Sequence, residues 1–290
     1  MNSLRNAITV VATIVLVVCA AAAASAVTGD EILDRMQNTF SIGGADRGEG
    51  ILLSIVVVNE YASGITTDYH LAVVAETAID PSRPADSDET SHALMYFLGG
   101  DDEGMIFLLA TPEAKSEKSR MWLYISSFGL TKELLSDEDQ SGNFAGSTLS
   151  YADIAGAGDM RDDYSATILR EETLAVGGEP RAVWVLELTA KPGADADYAR
   201  VLLWVDREEN LFLRLEGYSA AGMRVKEIVV ESLGTFEGRR IPEVMVGRDL
   251  ETGDVSTITL SGMRRAAGGL PEGTFDSANL GIFDPKAYGF

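Results

Sequence analysis

Cysteine and histidine are scarce in this chain: its 290 residues include one cysteine, Cys19, and two histidines, His70 and His92. Cys19 lies in an N-terminal apolar segment, and cleavage after Ala26 would leave a mature protein without cysteine. That excludes disulfides, thiol catalysis and cysteine-bound metal ions. His70 falls within a predicted strand and His92 at a loop edge, so neither suits a catalytic triad or a zinc site. The sequence therefore predicts no catalytic residues, no metal ligands and no cofactor.

Motifs of the common enzyme classes are also missing. No Gly-x-Ser-x-Gly elbow occurs anywhere in the chain. Gly156 and Gly158 resemble half of a dinucleotide-binding fingerprint, but no predicted strand precedes them and Arg161 stands where the third glycine belongs. We interpret this segment as a loop.

The acidic segment Asp137–Gly142 resembles the start of a calcium-binding loop. Its first, third and fifth positions carry side-chain oxygens, and glycine occupies the sixth. Thr148 stands at the twelfth position, where such loops have a bidentate glutamate. A solvated acidic turn is the interpretation that the sequence favours, and calcium binding stays open as the alternative.

Positive charge is scarce relative to negative charge. The 23 Lys and Arg residues against 45 Asp and Glu residues give a formal net charge of −22. Such a surface repels nucleic acid and anionic lipid headgroups, so we expect no nucleic-acid partner. Adjacent acidic residues such as Glu171 and Glu172 are too common in this chain to identify one pair as catalytic. A hydrolase that uses an unrecognised carboxylate pair therefore stays a remote alternative.

The N-terminus has the pattern of a secretory signal. Arg5 precedes an apolar run from Ala7 to Val18, and the segment ends in Ala24-Ser25-Ala26. We predict a signal peptide over residues 1–26 and an exported, periplasmic mature protein. An uncleaved membrane anchor is the alternative. Lipid anchoring at Cys19 is not expected, because Val18 precedes it where a small residue is required.

Residues 27–290 are predicted to form one domain that is mainly β. Thr28 and Glu31 form a capping box before a short amphipathic helix. Alternating apolar segments joined by short polar turns follow, and helical periodicity is nearly absent after residue 160. Short links favour antiparallel neighbours, so we predict one large antiparallel sheet, curved or open like a half barrel.

Apolar side chains on the predicted strands provide the remaining functional signal. An open, curved sheet with few helices would leave an apolar groove wide enough for an acyl chain. Ordinary core packing explains any one of these residues equally well. The residues that we predict to line such a cavity are Trp122, Tyr124, Trp184, Leu186, Leu188, Trp204 and Leu213.

One stretch resembles a known family. The segments Trp122-Leu-Tyr124, Ser141-Gly-Asn-Phe-Ala-Gly-Ser147 and Tyr151-Ala-Asp153 are similar to those of the outer membrane lipoprotein-sorting protein group, which belongs to the LolA/LolB-like lipoprotein-carrier superfamily. Later motifs follow in the same order, including Tyr198–Asp206 and Glu216–Gly222. The chain differs from the usual pattern at Thr148, Leu149 and Ala152.

The resemblance implies a half-open antiparallel barrel whose N-terminal helix and few short helices cover a concave apolar face. It also implies a non-catalytic carrier or chaperone that binds acyl chains of lipoproteins or lipids. A membrane-embedded donor or acceptor protein would then be a further partner. The alternative from the residues themselves is a periplasmic scaffold with a filled core that acts through its acidic surface.

Overall fold

The computed structural model describes residues 27–40, 50–76, 90–100, 102–112, 119–135, 142–150, 160–194 and 196–290. The predicted signal peptide with Cys19, and most of the segment that resembles a calcium loop, lie outside these residues, as does the motif Tyr151-Ala-Asp153.

The N-terminal helix α1 spans Gly29–Phe40. Its capping box is confirmed: the Thr28 amide donates to Glu31 Oε2 at 3.0 Å, and the Glu31 amide donates to Thr28 Oγ1 at 3.2 Å. Ile32, Leu33 and Met36 recur at helical spacing and are buried in the core. A single helical turn, α2 (Met160–Asp163), and 3-10 turns at Phe144–Gly146, Ser277–Ile282 and Pro285–Tyr288 complete the described helices.

Thirteen strands make up the rest of the described fold. They are β1 (Ile51–Glu60), β2 (Thr66–Glu76), β3 (Thr90–Phe97), β4 (Ile106–Pro112), β5 (Arg120–Ile125), β6 (Leu130–Glu133), β7 (Tyr164–Val176), β8 (Glu179–Ala190), β9 (Arg200–Asp206), β10 (Phe212–Tyr218), β11 (Arg224–Phe236), β12 (Arg239–Asp249) and β13 (Val255–Arg265). Neither β6 nor the C-terminal 3-10 turns were predicted, because β6 has four residues and the turns lack a helical apolar pattern.

All strands belong to one antiparallel sheet in the order β6-β5-β4-β3-β2-β1-β13-β12-β11-β10-β9-β8-β7. Strands β1 and β13 join its two halves, with Ile55 opposite Leu260. Because β6 and β7 remain edge strands, the sheet is curved but not closed, as the sequence predicted. No helix of the described residues is long and apolar enough to cross a membrane.

The strand register separates an inner face from an outer face. On the inner face, Leu53, Val73, Met95 and Phe107 lie opposite one another on neighbouring strands. The same face continues in the second half through Leu186, Leu203, Leu215 and Ile228. Two hydrophobic clusters fill it, and they share Ile228 and Met245. The apolar core is therefore continuous across the sheet.

Over the first half of the sheet, the outer face is covered by the C-terminal segment. Leu94, Leu108 and Trp122 lie opposite one another there. The C-terminal segment packs onto them through Leu280, which is buried, with Phe275 and Phe283 beside it. Over the second half, this face carries paired charges such as Arg214 and Glu216 beside buried apolar side chains such as Val185 and Trp204.

Candidate functional site

The inner face is covered over its first half by residues 142–150, which we call the covering loop. Phe144 is buried at 1% exposure and Leu149 at 6%. The Phe144 ring lies 5.7 Å from that of Phe107 and 6.0 Å from that of Phe97, between ring centroids. These contacts place the covering loop directly on the most aromatic part of the inner face.

Internal hydrogen bonds hold the shape of the covering loop. The Phe144 amide donates to the Leu149 carbonyl oxygen at 2.7 Å, and the Ser147 amide donates to the Phe144 carbonyl oxygen at 2.8 Å. Gly146 has a φ of 65°, and a Cβ atom there would lie 2.5 Å from the Tyr61 hydroxyl oxygen. Glycine is thus required at this position both for the backbone conformation and for the close approach of Tyr61.

A polar row across the inner face anchors this loop to the sheet. The Thr148 amide donates to Ser256 Oγ at 2.8 Å, and Ser256 Oγ donates to Asn59 Oδ1 at 2.8 Å. Lys226, which is buried, donates through its ammonium group to the Thr148 carbonyl oxygen. The loop is therefore bound to strands β11 and β13 by side chains that stand in an otherwise apolar face, and Asn59 of β1 in turn binds Ser256.

Thr148 and Gly247 meet at the closest approach of loop and sheet. A Cβ atom on Gly247 would lie 2.6 Å from Thr148 Oγ1, so only glycine leaves room for the loop at this depth. The Thr148 hydroxyl is buried and makes no hydrogen bond to the described residues. This orphaned group weakens the anchoring of the loop.

Helix α1 covers the second half of the inner face. Ile32, Leu33 and Met36 pack in the same cluster as Leu186 and Leu188. The N-terminal end of the helix is attached to the edge strand β7, where Asp30 Oδ1 accepts a hydrogen bond of 2.8 Å from the Ala166 amide. An ion pair of 3.0 Å between Arg161 and Asp34 joins it to α2.

The residues predicted to line a cavity do not share one face. Trp184, Leu186 and Leu188 alternate with Val183 and Val185 and lie on the inner face. Leu213 is fully buried in the same cluster as these residues. The other three predicted residues are on the outer face. Trp122 and Tyr124 pack beneath the C-terminal segment, and Trp204 lies opposite Val185 and Arg214.

Trp204 sits in a polar setting on the outer face. Its indole Nε1 donates a hydrogen bond of 2.5 Å to Glu172 Oε1, and the guanidinium of Arg214 lies 5.0 Å from its ring centroid. The hydrogen bond from Trp204, followed by that from Arg170, holds the pKa of Glu172 below its usual value.

A network of ion pairs extends from there across β10 and β11. Arg214 contacts Glu216 at 2.6 Å and Glu227 at 2.8 Å, and Arg224 contacts Glu216 at 2.8 Å. Burial acts to raise the pKa of Glu216, but hydrogen bonds from Tyr218 and Arg224 and the charges of both arginines outweigh it. The pKa of Glu216 is therefore lowered. The network keeps this part of the outer face charged and paired.

A separate cleft of about 440 Å³ lies beneath the C-terminal segment, lined by Glu76, His92 and residues 270–276. His92 Nδ1 lies 2.9 Å from Glu76 Oε1, and its ring stacks on Phe275 at 5.0 Å. Within the described ranges, no three His, Cys, Asp or Glu residues group closely enough to hold a metal ion.

Sequence reasoning missed the residues that attach the covering loop. Asn59, Lys226 and Ser256 are polar positions on apolar strands, a pattern that usually indicates a wet face. The one indication in the sequence was Lys226, a charged residue that shares the face of Ile228 and Val230 on β11.

The comparisons with known proteins agree with this architecture. A family model described as "Uncharacterized protein" matches residues 89–281. The chain belongs to this family. Among curated proteins, none matches the sequence significantly.

Solved structures of three relatives show the same fold. A DUF1329 family protein from Desulfovibrio piger has 20% identity and a TM-score of 0.71, and the match covers 87% of this chain and 97% of that one. An outer membrane lipoprotein-sorting protein domain from Vibrio parahaemolyticus has 20% identity and a TM-score of 0.69, covering 87% and 98%. A LolA superfamily protein from Nitrosomonas europaea has 21% identity and a TM-score of 0.57, covering 86% and 98%. The LolA-like open sheet predicted from the sequence is confirmed, and so is the resemblance to the lipoprotein-sorting group.

Proposed function

We propose that this protein is an exported, periplasmic carrier that binds acyl chains of lipoproteins or lipids against its inner face and catalyses no reaction. The observation that carries the proposal is the cover of that face. Among the described residues, this apolar surface is shielded by one helix and one short loop, and no second sheet covers it. The fold shared with lipoprotein-sorting and LolA superfamily proteins supports it.

The binding energy would come from apolar burial. Each CH₂ group of an acyl chain removed from water contributes about 0.8 kcal/mol, so a full chain offsets the loss of the Phe144 and Leu149 contacts. Displacement of the covering loop would expose Met95 and Phe107. Trp184, Leu186, Leu188 and Leu213 would become available if α1 also moved. Trp122, Tyr124 and Trp204 would touch a ligand only on the outer face.

The test is the displacement of a fluorescent fatty acid, together with mass spectrometry of the protein purified without detergent. Phe107→Ala and Leu94→Ala both remove a fully buried side chain, the first from the inner face and the second from the outer face. We expect bound lipid, and an altered fatty-acid affinity in Phe107→Ala alone. A wild-type protein that carries no lipid and binds no fatty acid at micromolar concentration would refute the carrier function. An altered fatty-acid affinity in Leu94→Ala alone would indicate that the ligand binds to the outer face.

A scaffold with a filled core is the second candidate. It is favoured by the complete burial of Leu186, Leu188 and Phe144 by the protein itself. Such a protein would bind a macromolecular partner through its acidic surface, and Phe107→Ala would then lower stability without any effect on lipid.

A further inference from the structure

One rim of the sheet is formed by hairpin turns that lie side by side. The pairing of Glu60 with both Thr66 and Val255 places turn 61–65 next to turn 250–254, and the Ala62 amide donates to Asp254 Oδ1 at 2.8 Å. The Leu250 amide donates to the Val225 carbonyl oxygen at 2.9 Å, which brings turn 219–223 alongside. The turn 126–129 between β5 and β6 ends on the same rim, where Ser126 Oγ donates to the Glu103 carbonyl oxygen at 2.8 Å.

Exposed apolar side chains concentrate on this rim. Of the nine large apolar side chains exposed within the described part of the chain, five lie on it: Ile65 at 60%, Phe128 at 74%, Leu130 at 63%, Met223 at 60% and Leu250 at 40%. Turns are normally rich in polar residues, so the concentration of apolar side chains at the turns of one rim sets this end of the molecule apart.

Three of these turns also carry no charge. They read Tyr-Ala-Ser-Gly-Ile at 61–65, Ser-Ser-Phe-Gly at 126–129 and Ser-Ala-Ala-Gly-Met at 219–223. The chain as a whole has a net charge of −22. On the opposite rim, the turn at 207–210 reads Arg-Glu-Glu-Asn and the turn at 237–238 reads Glu-Gly. These three uncharged turns share one rim, where the acidic turns that contain Asp102, Glu103, Glu251 and Asp254 lie between them. The turn at 177–178 on the opposite rim is also uncharged but carries no apolar side chain.

We propose that this rim docks on the surface of a zwitterionic lipid bilayer, into which Ile65, Phe128 and Met223 insert. Neighbouring hairpins are about 10 Å apart, and another turn of the rim lies between Phe128 and Ile65 and between Ile65 and Met223. The tips are therefore separate points rather than the contiguous patch that a protein partner needs. A fluid bilayer accepts separate apolar points one by one. The uncharged tips match headgroups without net charge, whereas the carboxylates of Asp102, Glu103, Glu251 and Asp254 between them repel anionic ones.

The rim is joined to the cover of the inner face. The Tyr61 hydroxyl, in the first of these turns, donates a hydrogen bond of 2.9 Å to the Gly146 carbonyl oxygen of the covering loop. The docking proposal rests on the proposed carrier function, because it names the surface from which the acyl chain would be taken or to which it would be given.

The experiment is co-sedimentation of the purified protein with phosphatidylcholine vesicles. A rim variant combines Ile65→Ser, Phe128→Ser and Met223→Ser. A matched control combines Leu135→Ser, Leu169→Ser and Ile282→Ser, three exposed apolar residues outside these turns. We expect the wild type and the control to bind, and the rim variant to partition about tenfold or more weakly. Binding should fall when phosphatidylglycerol is added to the vesicles and should not need low salt.

Three results would overturn the docking proposal: no vesicle binding by the wild type, equal losses in both variants, or binding only to anionic vesicles that salt removes. A rim variant that keeps vesicle binding but dissociates a dimer in light scattering would also overturn it, and would assign the rim to a protein interface. Fatty-acid displacement measured without vesicles separates the two proposals, because the rim variant should still bind the fatty acid. A wild-type protein that binds no fatty acid would refute the carrier function rather than the docking proposal.

Discussion

The buried ammonium group of Lys226 donates a hydrogen bond to the main-chain carbonyl oxygen of Thr148, and so ties strand β11 to the covering loop. This contact explains why a lysine is buried there. It also means that the Lys226 side chain helps to hold the covering loop against the sheet.

Replacement of Lys226 by Met should therefore loosen the covering loop. Met has a similar length and keeps the packing but removes the donor. Hydrogen bonds to charged groups contribute about 1.5–3 kcal/mol, so we expect about tenfold faster exchange of the Phe144 and Ser147 amides. Hydrogen–deuterium exchange with mass spectrometry measures this, with Lys132→Met on the exposed strand β6 as the control. Unchanged exchange in Lys226→Met would mean that the apolar contacts alone hold the loop.

Phe144→Ala should destabilise the fold much more than Phe128→Ala. Phe144 is 1% exposed and contacts Phe97 and Phe107, whereas Phe128 is 74% exposed. We expect a loss of about 3–5 kcal/mol in the free energy of unfolding for Phe144→Ala and about 0.5 kcal/mol or less for Phe128→Ala. Urea denaturation measures both values. Similar small losses would show that the loop packs only loosely on the sheet.

Stability should fall in acid through Glu172 and Glu216, whose pKa values are lowered in the folded protein. A lowered pKa stabilises the fold above the ordinary value of 4.5, and that stability is lost as pH falls through the folded pKa. Trp204→Phe removes the hydrogen bond that contributes most to the lowered pKa of Glu172, so the variant should lose less stability as the pH falls below the ordinary value of 4.5. Thermal unfolding midpoints measure the difference, with Trp122→Phe as the control. Parallel pH curves for wild type and Trp204→Phe would contradict this assignment.

Gly247→Ala should displace the covering loop, whereas Gly234→Ala should not. The new Cβ atom would lie 2.6 Å from Thr148 Oγ1 in the first case and 3.5 Å from the nearest heavy atom, Glu243 Cβ, in the second. We expect a lower unfolding midpoint and faster amide exchange in the loop for Gly247→Ala. Gly234→Ala should stay within about 0.5 kcal/mol of the wild type. A Gly247→Ala protein as stable as Gly234→Ala would show that the Thr148 hydroxyl simply rotates away.

Much of the fold was predictable because alternation is a local property. Alternation predicts strands over Val183–Lys191 and Tyr198–Asp206, and these segments fall largely within β8 and β9. The capping box at Thr28 was predicted from residues three positions apart, and it is confirmed. The candidate site was predictable only in part. Trp122 and Trp184 both alternate on strands, but nothing local shows that one lies beneath the C-terminal segment and the other on the inner face.

The sequence by itself determined the strand segments, the short antiparallel links, the acidic character and the family, because each depends on composition or on neighbours along the chain. Only the tertiary structure decided which face is inner, that residues 142–150 lie on it, and that uncharged turns meet at one rim. These features depend on contacts such as Lys226 with Thr148 and Asn59 with Ser256, which are 78 and 197 residues apart. Period-two alternation separates two faces of a strand but does not specify which face a distant segment will cover.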